Sequence, residues 1–248
     1  MDGITIYRQY RLHLLLLTCL LSLLANPAAA TSLNVSPLRL ELSSSTPTSF
    51  LKLTNDDKTA RVVQVELMAW SQKKQRNVFL PSDDIVVNPP IFTVAPGKTQ
   101  IVRVGLRQPP TADHELAYRL FMTEVPPPRP AAQQTSQLRV VLRLSVPIFV
   151  STQITAAPAL RWTATSDKDN TLKITATNTG NVHYQIRSFE VADSERSQVL
   201  AKESPGVYIL PGRSWHWRVK AKTHRQADLF HLSAHTDLGD IDEDIRPH

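Results

Sequence analysis

The chain has 248 residues, a formal net charge of +6 and a single cysteine, Cys19. One cysteine excludes a fold stapled by disulfides within the chain, and although the basic balance suits nucleic acid, the lack of a lysine and arginine cluster interleaved with aromatics argues against it. Eighteen prolines and seven glycines among many Val, Thr and Leu residues suit short strands punctuated by turns.

At the N-terminus, Arg8 and Arg11 precede an apolar run over residues 12–24, and Ala28 and Ala30 supply small residues before Thr31. This is the pattern of a secretory signal peptide, residues 1–30, and the run is short for a bilayer span. Cys19 sits inside the run behind Thr18, a poor context for lipidation, and leaves with the signal. The mature chain is therefore expected to be exported, soluble and without disulfides, so that its core and strand ladders alone must hold it.

Period-two alternation marks the strands. Val102, Val104 and Leu106 alternate with Arg103, Gly105 and Arg107; Leu172, Ile174 and Ala176 with Lys173, Thr175 and Thr177; Trp215, Trp217 and Val219 with His216, Arg218 and Lys220. An internal echo divides the chain: Leu53-Thr54-Asn55 followed by Ala95-Pro96-Gly97-Lys98 returns as Ala176-Thr177-Asn178 followed by Leu210-Pro211-Gly212-Arg213. Two similar copies of about a hundred residues, each rich in short strands, predict an all-β protein of two tandem immunoglobulin-like sandwiches over residues 31–152 and 153–248. A hinge is expected near residues 151–158. Residues 178–181, Asn-Thr-Gly-Asn, read as a tight hairpin turn, residues 71–77 and 126–137 as exposed loops, and residues 240–248 as a frayed acidic tail.

The stretch after the proline-rich loop is the most informative. Leu138, Val140, Leu142, Leu144 and Val146 share one face of a long strand, with Arg139, Val141, Arg143 and Ser145 on the other. Two readings compete: the last strand of the first sandwich with its apolar row in the core, or an edge strand that presents the row to a partner. Edge strands normally guard such a row with a charge or a bulge, and this row has neither. Lent to an incomplete sheet, four or five aliphatic side chains would contribute on the order of 10 kcal/mol before ordering costs.

These segments together resemble the periplasmic pilus-assembly chaperones. The resemblance is carried by Val35-Ser36-Pro37-Leu38-Arg39-Leu40, by Asn88-Pro89-Pro90-Ile91-Phe92 leading to Ala95-Pro96-Gly97 and Val102-Arg103-Val104, by Tyr118-Arg119-Leu120 through Glu124-Val125-Pro126-Pro127, and by the alternating strand. It implies two sandwiches set as an L or boomerang, working in the periplasm. A pilus subunit would pair its last strand with residues 138–146, and its terminal carboxylate would be held in the cleft between the sandwiches. Arg39 matches the family's cleft arginine, although a solvated strand residue is the alternative. The lysine that should follow the strand is missing, Pro147 standing in its place, which is similar to the branch called archaic, whose clients resemble spore-coat protein U domains. Arg103, Arg119 and Arg143 are candidate substitutes. The implied partners are pilus subunits, an outer-membrane usher and, for the free protein, a second copy capping the edge.

His216, His224, His231 and His235 with Asp237 match no metal-ligand spacing. No nucleophile elbow, phosphate loop or carboxylate pair stands out, so neither an enzyme, a cofactor nor a small-molecule substrate is expected. A secreted carbohydrate-binding sandwich with Trp215 and Trp217 as its platform is the rival function, against which both side chains share a face with Val219.

Overall fold

The computed structural model describes residues 33–127, 140–166, 171–193, 198–220 and 229–246, and every regular element in it is a strand. The first half contributes β1 (Leu33–Ser36), β2 (Leu40–Leu42), β3 (Thr48–Asn55), β4 (Arg61–Lys73), β5 (Arg76–Pro81), β6 (Ile85–Asn88), β7 (Ile91–Val94), β8 (Thr99–Leu106), β9 (Leu116–Val125) and β10 (Arg143–Val150). One sheet runs β1-β3-β8-β6; the other runs β2-β10-β9-β4-β5, with β7 also on β4. Leu51, Leu53, Val102 and Val104 point inward while Phe50, Lys52, Ile101 and Arg103 face water, as the alternation predicts. They meet Leu120, Met122, Val146 and Ile148 of the second sheet in one core.

The second half contributes β11 (Leu160–Ser166), β12 (Thr171–Asn178), β13 (Tyr184–Asp193), β14 (Val199–Glu203), β15 (Val207–Ile209), β16 (Ser214–Lys220), β17 (Phe230–Thr236) and β18 (Gly239–Ile245). The sheet β11-β12-β16 packs on β14-β13-β17-β18, with β15 on β13, around Ile174, Ile186, Phe189 and Leu232. The protein is all-β, with two immunoglobulin-like sandwiches in tandem.

The echo in the sequence is a hydrogen-bonded clasp built twice. Asn55 is fully buried; its Nδ2 donates to Thr59 O (2.8 Å) and Val94 O (2.9 Å), and its Oδ1 accepts from Asp57 N–H (3.0 Å). Asn178, equally buried, donates to Val182 O (2.7 Å) and Ile209 O (2.9 Å) and accepts from Gly180 N–H (3.0 Å). In each copy the asparagine carbonyl receives the N–H of the Pro-Gly turn, from Gly97 and from Gly212, and both glycines take positive φ. A buried asparagine at a strand end thus satisfies the backbone of two loops that have no ladder of their own.

Three expectations need correction. Residues 71–77 are not a loop: β4 continues to Lys73, and Lys74 and Gln75, both at positive φ, turn it into β5. Ser71, Lys73, Lys74, Arg76 and Asn77 are exposed as expected, but Gln72 is buried against the second sandwich, with Nε2 donating to Tyr208 O (2.8 Å) and Oε1 accepting from Leu210 N–H (3.0 Å). Residues 178–181 do not close a hairpin, because β12 and β13 lie in different sheets. Gly180 is needed there for space, since a Cβ would stand 2.4 Å from Ala157 O and 2.5 Å from Ala159 N. The acidic end is not frayed up to Ile245, because residues 239–245 form β18 and pair with β17 throughout. Of the expected loop at 126–137, residues 128–137 lie outside the described residues.

Candidate functional site

β1 and β2 are consecutive in sequence but belong to opposite sheets, and the chain crosses between them at residues 37–39, where Leu38 is 73 % exposed. This crossing decides what lies beside β10. β9 pairs with β10 from Arg143 to Val150, whereas β2 pairs with it only at Ile148, Phe149 and Val150. Along Arg143 to Pro147 no strand among the described residues occupies the second side.

The ladder itself shows which backbone groups are left there. Glu124 N–H donates to Leu142 O (2.9 Å), and bonded residues recur at every second position of an antiparallel pair, so the even-numbered residues of β10 turn their amides to β9. The odd-numbered ones turn outward, in phase with Ser151 N–H, which donates to Leu42 O (2.9 Å). Arg143 and Ser145 therefore offer unpaired donors and acceptors, and Pro147 offers only its carbonyl.

The apolar row changes environment along its length. Val146 is buried in the first core, Leu144 and Leu142 are half-buried against it, and Val140 is 74 % exposed. Leu138 lies outside the described residues. Among the described residues the strand starts at Arg143 rather than earlier: by its register, Val141 falls opposite Val125, the last residue of β9, and Val140 lies past that end.

At the far end of this edge, the two sandwiches meet. Arg39, just before β2, is 37 % exposed and places Nη1 2.8 Å from Asp237 Oδ2 and Nη2 3.0 Å from Glu41 Oε1. The side chain of Asp237, in the β17–β18 turn, is buried; its Oδ1 accepts from Gln185 N–H (2.7 Å). His183 stacks flat on Phe149, ring centroids 3.5 Å apart. Its Nδ1 stands 2.6 Å from Glu115 Oε2, and its Nε2 is 3.2 Å from Asp237 Oδ2, too poorly aligned for a directed hydrogen bond. Burial pulls the His183 pKa down, but the nearby carboxylates of Asp237 and Glu115 outweigh burial and raise it. For Asp237 burial pushes upward and is outweighed by His183, the Gln185 amide and Arg39, so its carboxyl sits below the usual range.

Arg119 of β9 faces the same cleft, directly across from Pro147. Its guanidinium lies 4.0 Å from the centroid of Trp70 and 5.3 Å from that of Tyr208, and its buried Nε has no hydrogen-bond partner. Burial lowers its pKa, and no carboxylate among the described residues pairs with it. Burial raises the Tyr208 pKa against the opposing pull of Arg119, Arg39 and Arg187.

The other candidates lie elsewhere. Arg103 is on the outer face of the opposite sheet, in register with Phe50, and does not reach the cleft. Arg143 lies over Phe121 (4.1 Å), 3.8 Å from Glu66 Oε2, near the open edge rather than at the cleft. Trp217 spends its faces on Trp162 and Phe189 in the second core. Sequence reasoning missed Glu115, His183, Tyr208 and Trp70, which carry no motif; they come from four separate strands or turns and become a cluster only when the sandwiches dock.

The model of the family described as pili and flagellar-assembly chaperone, PapD N-terminal domain, matches residues 32–155. No curated protein sequence matches the chain. Among solved structures, the chain resembles one from the CsuC–CsuE chaperone–tip adhesion subunit pre-assembly complex of the archaic chaperone-usher Csu pili of Acinetobacter baumannii, at 16 % identity and TM-score 0.64, covering 87 % of this chain and 98 % of that one. It also resembles one from the SafA pilin and SafB chaperone complex of Salmonella enterica (17 %, 0.58, 88 % and 96 %) and the CupB2 chaperone of Pseudomonas aeruginosa (16 %, 0.54, 86 % and 100 %). At these identities the likeness carries the fold, while the family model spans half of the sequence. The chain therefore belongs to the family of pili and flagellar-assembly chaperones.

Proposed function

We propose that this protein, exported to the periplasm by residues 1–30, binds a pilus subunit by lending it the edge at residues 140–147, and delivers it to an outer-membrane usher. It consumes no nucleotide and catalyses no bond change; the subunit leaves when another strand fits its groove better. The observation that carries this reading is the side of Arg143 to Pro147 that no strand among the described residues pairs, beside an apolar row that rises from the core to 74 % exposure at Val140. A strand laid on this edge would gain backbone bonds at Arg143 and Ser145 and would cover Leu144, Leu142 and Val140. Full burial of an aliphatic side chain is worth about 1.5–3 kcal/mol, so completing these three contributes about 3–5 kcal/mol.

The subunit's terminal carboxylate is anchored by Arg39 and Arg119. Arg119 is the better substitute for the absent lysine, because it projects into the cleft opposite Pro147 without a carboxylate of its own, and an unpaired, half-desolvated guanidinium binds a carboxylate strongly. The missing lysine and the likeness to the Csu structure favour the archaic branch. Without a client the same edge is open to a second copy of the chain.

The test is co-expression with the pilus subunits of the same cell and recovery from periplasmic extract. Leu142→Asp with Leu144→Asp should abolish subunit recovery and leave the free protein folded by circular dichroism. Undiminished recovery with that double variant overturns the proposal.

A further inference from the structure

We propose that His183 is a positioning residue for client capture: acting through Asp237, it sets how freely Arg39 meets the client's carboxylate, so that anchoring tightens on protonation of the imidazole and loosens on its loss. This rests on the reading of Arg39 as an anchor given above.

The argument begins with one shared oxygen. Asp237 Oδ2 stands 2.8 Å from Arg39 Nη1 and 3.2 Å from His183 Nε2, while Oδ1 is occupied by the Gln185 amide. Whatever charge His183 carries therefore competes with Arg39 for the same atom. The groups facing His183 are Glu115 on Nδ1, Asp237 on Nε2, the Phe149 ring against one face and the Tyr208 ring 5.7 Å away; Arg39 lies one step further, behind Asp237. Glu115 Oε2 also accepts the His183 backbone N–H (3.0 Å), which holds the ring between the two carboxylates.

With an imidazolium present, Glu115 and Asp237 are balanced by His183 and Arg39, and the inner cluster is neutral. An incoming carboxylate then meets Arg39 with only Glu41, 3.0 Å from Nη2 in either state of the imidazole, left to oppose it. With a neutral imidazole the inner cluster carries one negative charge, Asp237 keeps Arg39 as its only cation among the described residues, and the newcomer is repelled by Asp237. The side chains of His183 and Asp237 are 7 % and 1 % exposed, so water screens this difference poorly. Histidine alone among the cations changes charge near neutrality, and here the flanking carboxylates move its pKa upward, toward the range in which a periplasm operates.

The experiment uses the full exported protein and two synthetic probes: a decapeptide of alternating valine and threonine with a free C-terminal carboxylate, and its amidated twin. Dissociation constants are measured by calorimetry between pH 5.5 and 8.5. The ratio of carboxylate to amide affinity should fall as pH rises, by up to about tenfold per unit for a linkage of one proton. In His183→Gln the ratio should be flat, and in Glu115→Gln the fall should move to lower pH. A pH-independent ratio in the wild-type protein, or a wild-type slope in His183→Gln, overturns the proposal. If His183→Gln does not fold, an unmoved midpoint in Glu115→Gln overturns it instead. Loss of the pH dependence while Arg39→Ala abolishes the carboxylate preference supports it. A carboxylate preference that survives Arg39→Ala, or that is absent in the wild type at every pH, removes the anchor reading beneath it.

Discussion

Replacing Asn178 by alanine removes three hydrogen bonds at a position with no exposed surface. The bonds to Val182 O, Ile209 O and Gly180 N–H span 2.7–3.0 Å. Each is worth about 1 kcal/mol net, and at least one buried carbonyl is left without its donor at a further cost of about 1 kcal/mol or more, so the second sandwich should lose about 3–5 kcal/mol. Asn55→Ala removes the equivalent set, to Thr59 O, Val94 O and Asp57 N–H, and should cost the first sandwich about as much. Urea unfolding followed by tryptophan fluorescence separates the two, because Trp70 lies in the first half and Trp162, Trp215 and Trp217 in the second. With a slope of about 1–3 kcal/mol per molar urea, each midpoint should drop by about 1–5 M in the sandwich that carries the substitution. A loss below about 1 kcal/mol at either asparagine, or a large loss at only one, would refute the claim that the echo is a single device used twice.

Thermal stability should peak between about pH 4 and 6.5. Asp237 has a lowered pKa, so its contribution is present above its ordinary 3.8 and is lost as pH falls through the folded value; His183 has a raised pKa, so its contribution is present below 6.5 and is lost as pH rises through the folded value. Scanning fluorimetry across pH 3–9 checks this, and His183→Gln should remove the alkaline decline. Gly180→Ala should destabilise by about 1–3 kcal/mol, because the added Cβ meets backbone rather than yielding side chains; an unchanged urea midpoint would contradict the packing described. Arg119→Met should leave stability within about 1 kcal/mol of wild type, since it exchanges a desolvated cation without a carboxylate partner for an apolar chain, yet lower subunit recovery from the periplasm.

What the sequence made legible was what repeats or alternates. Val102 and Val104 announce their burial through the charged and small residues between them, and the Thr-Asn and Pro-Gly pairs announce the clasps by recurring. What stayed hidden depends on tertiary neighbours. Gln72 reads as a loop residue because its polar partners, Tyr208 O and Leu210 N–H, lie more than a hundred positions away. Gly180 reads as a turn glycine, whereas the connecting segment 157–159 is what excludes a side chain. Arg39 was found by its place in a resemblance, but its engagement with Asp237 was not, and the His183 cluster has no local signature. Arg103 and Arg119 look alike in sequence, each an arginine flanked by apolar residues in a strand; only the choice of sheet separates an outer face from the cleft.

Pro147 has a consequence for how long a guest chain can be. It interrupts the row of outward donors just before β2 takes over, so a visitor advancing along β10 toward the cleft runs out of track at a fixed point, whatever its side chains. A stop made of backbone meters length and leaves composition open. On the proposed reading of this edge, one such molecule would serve several clients whose final segments share a reach and little else.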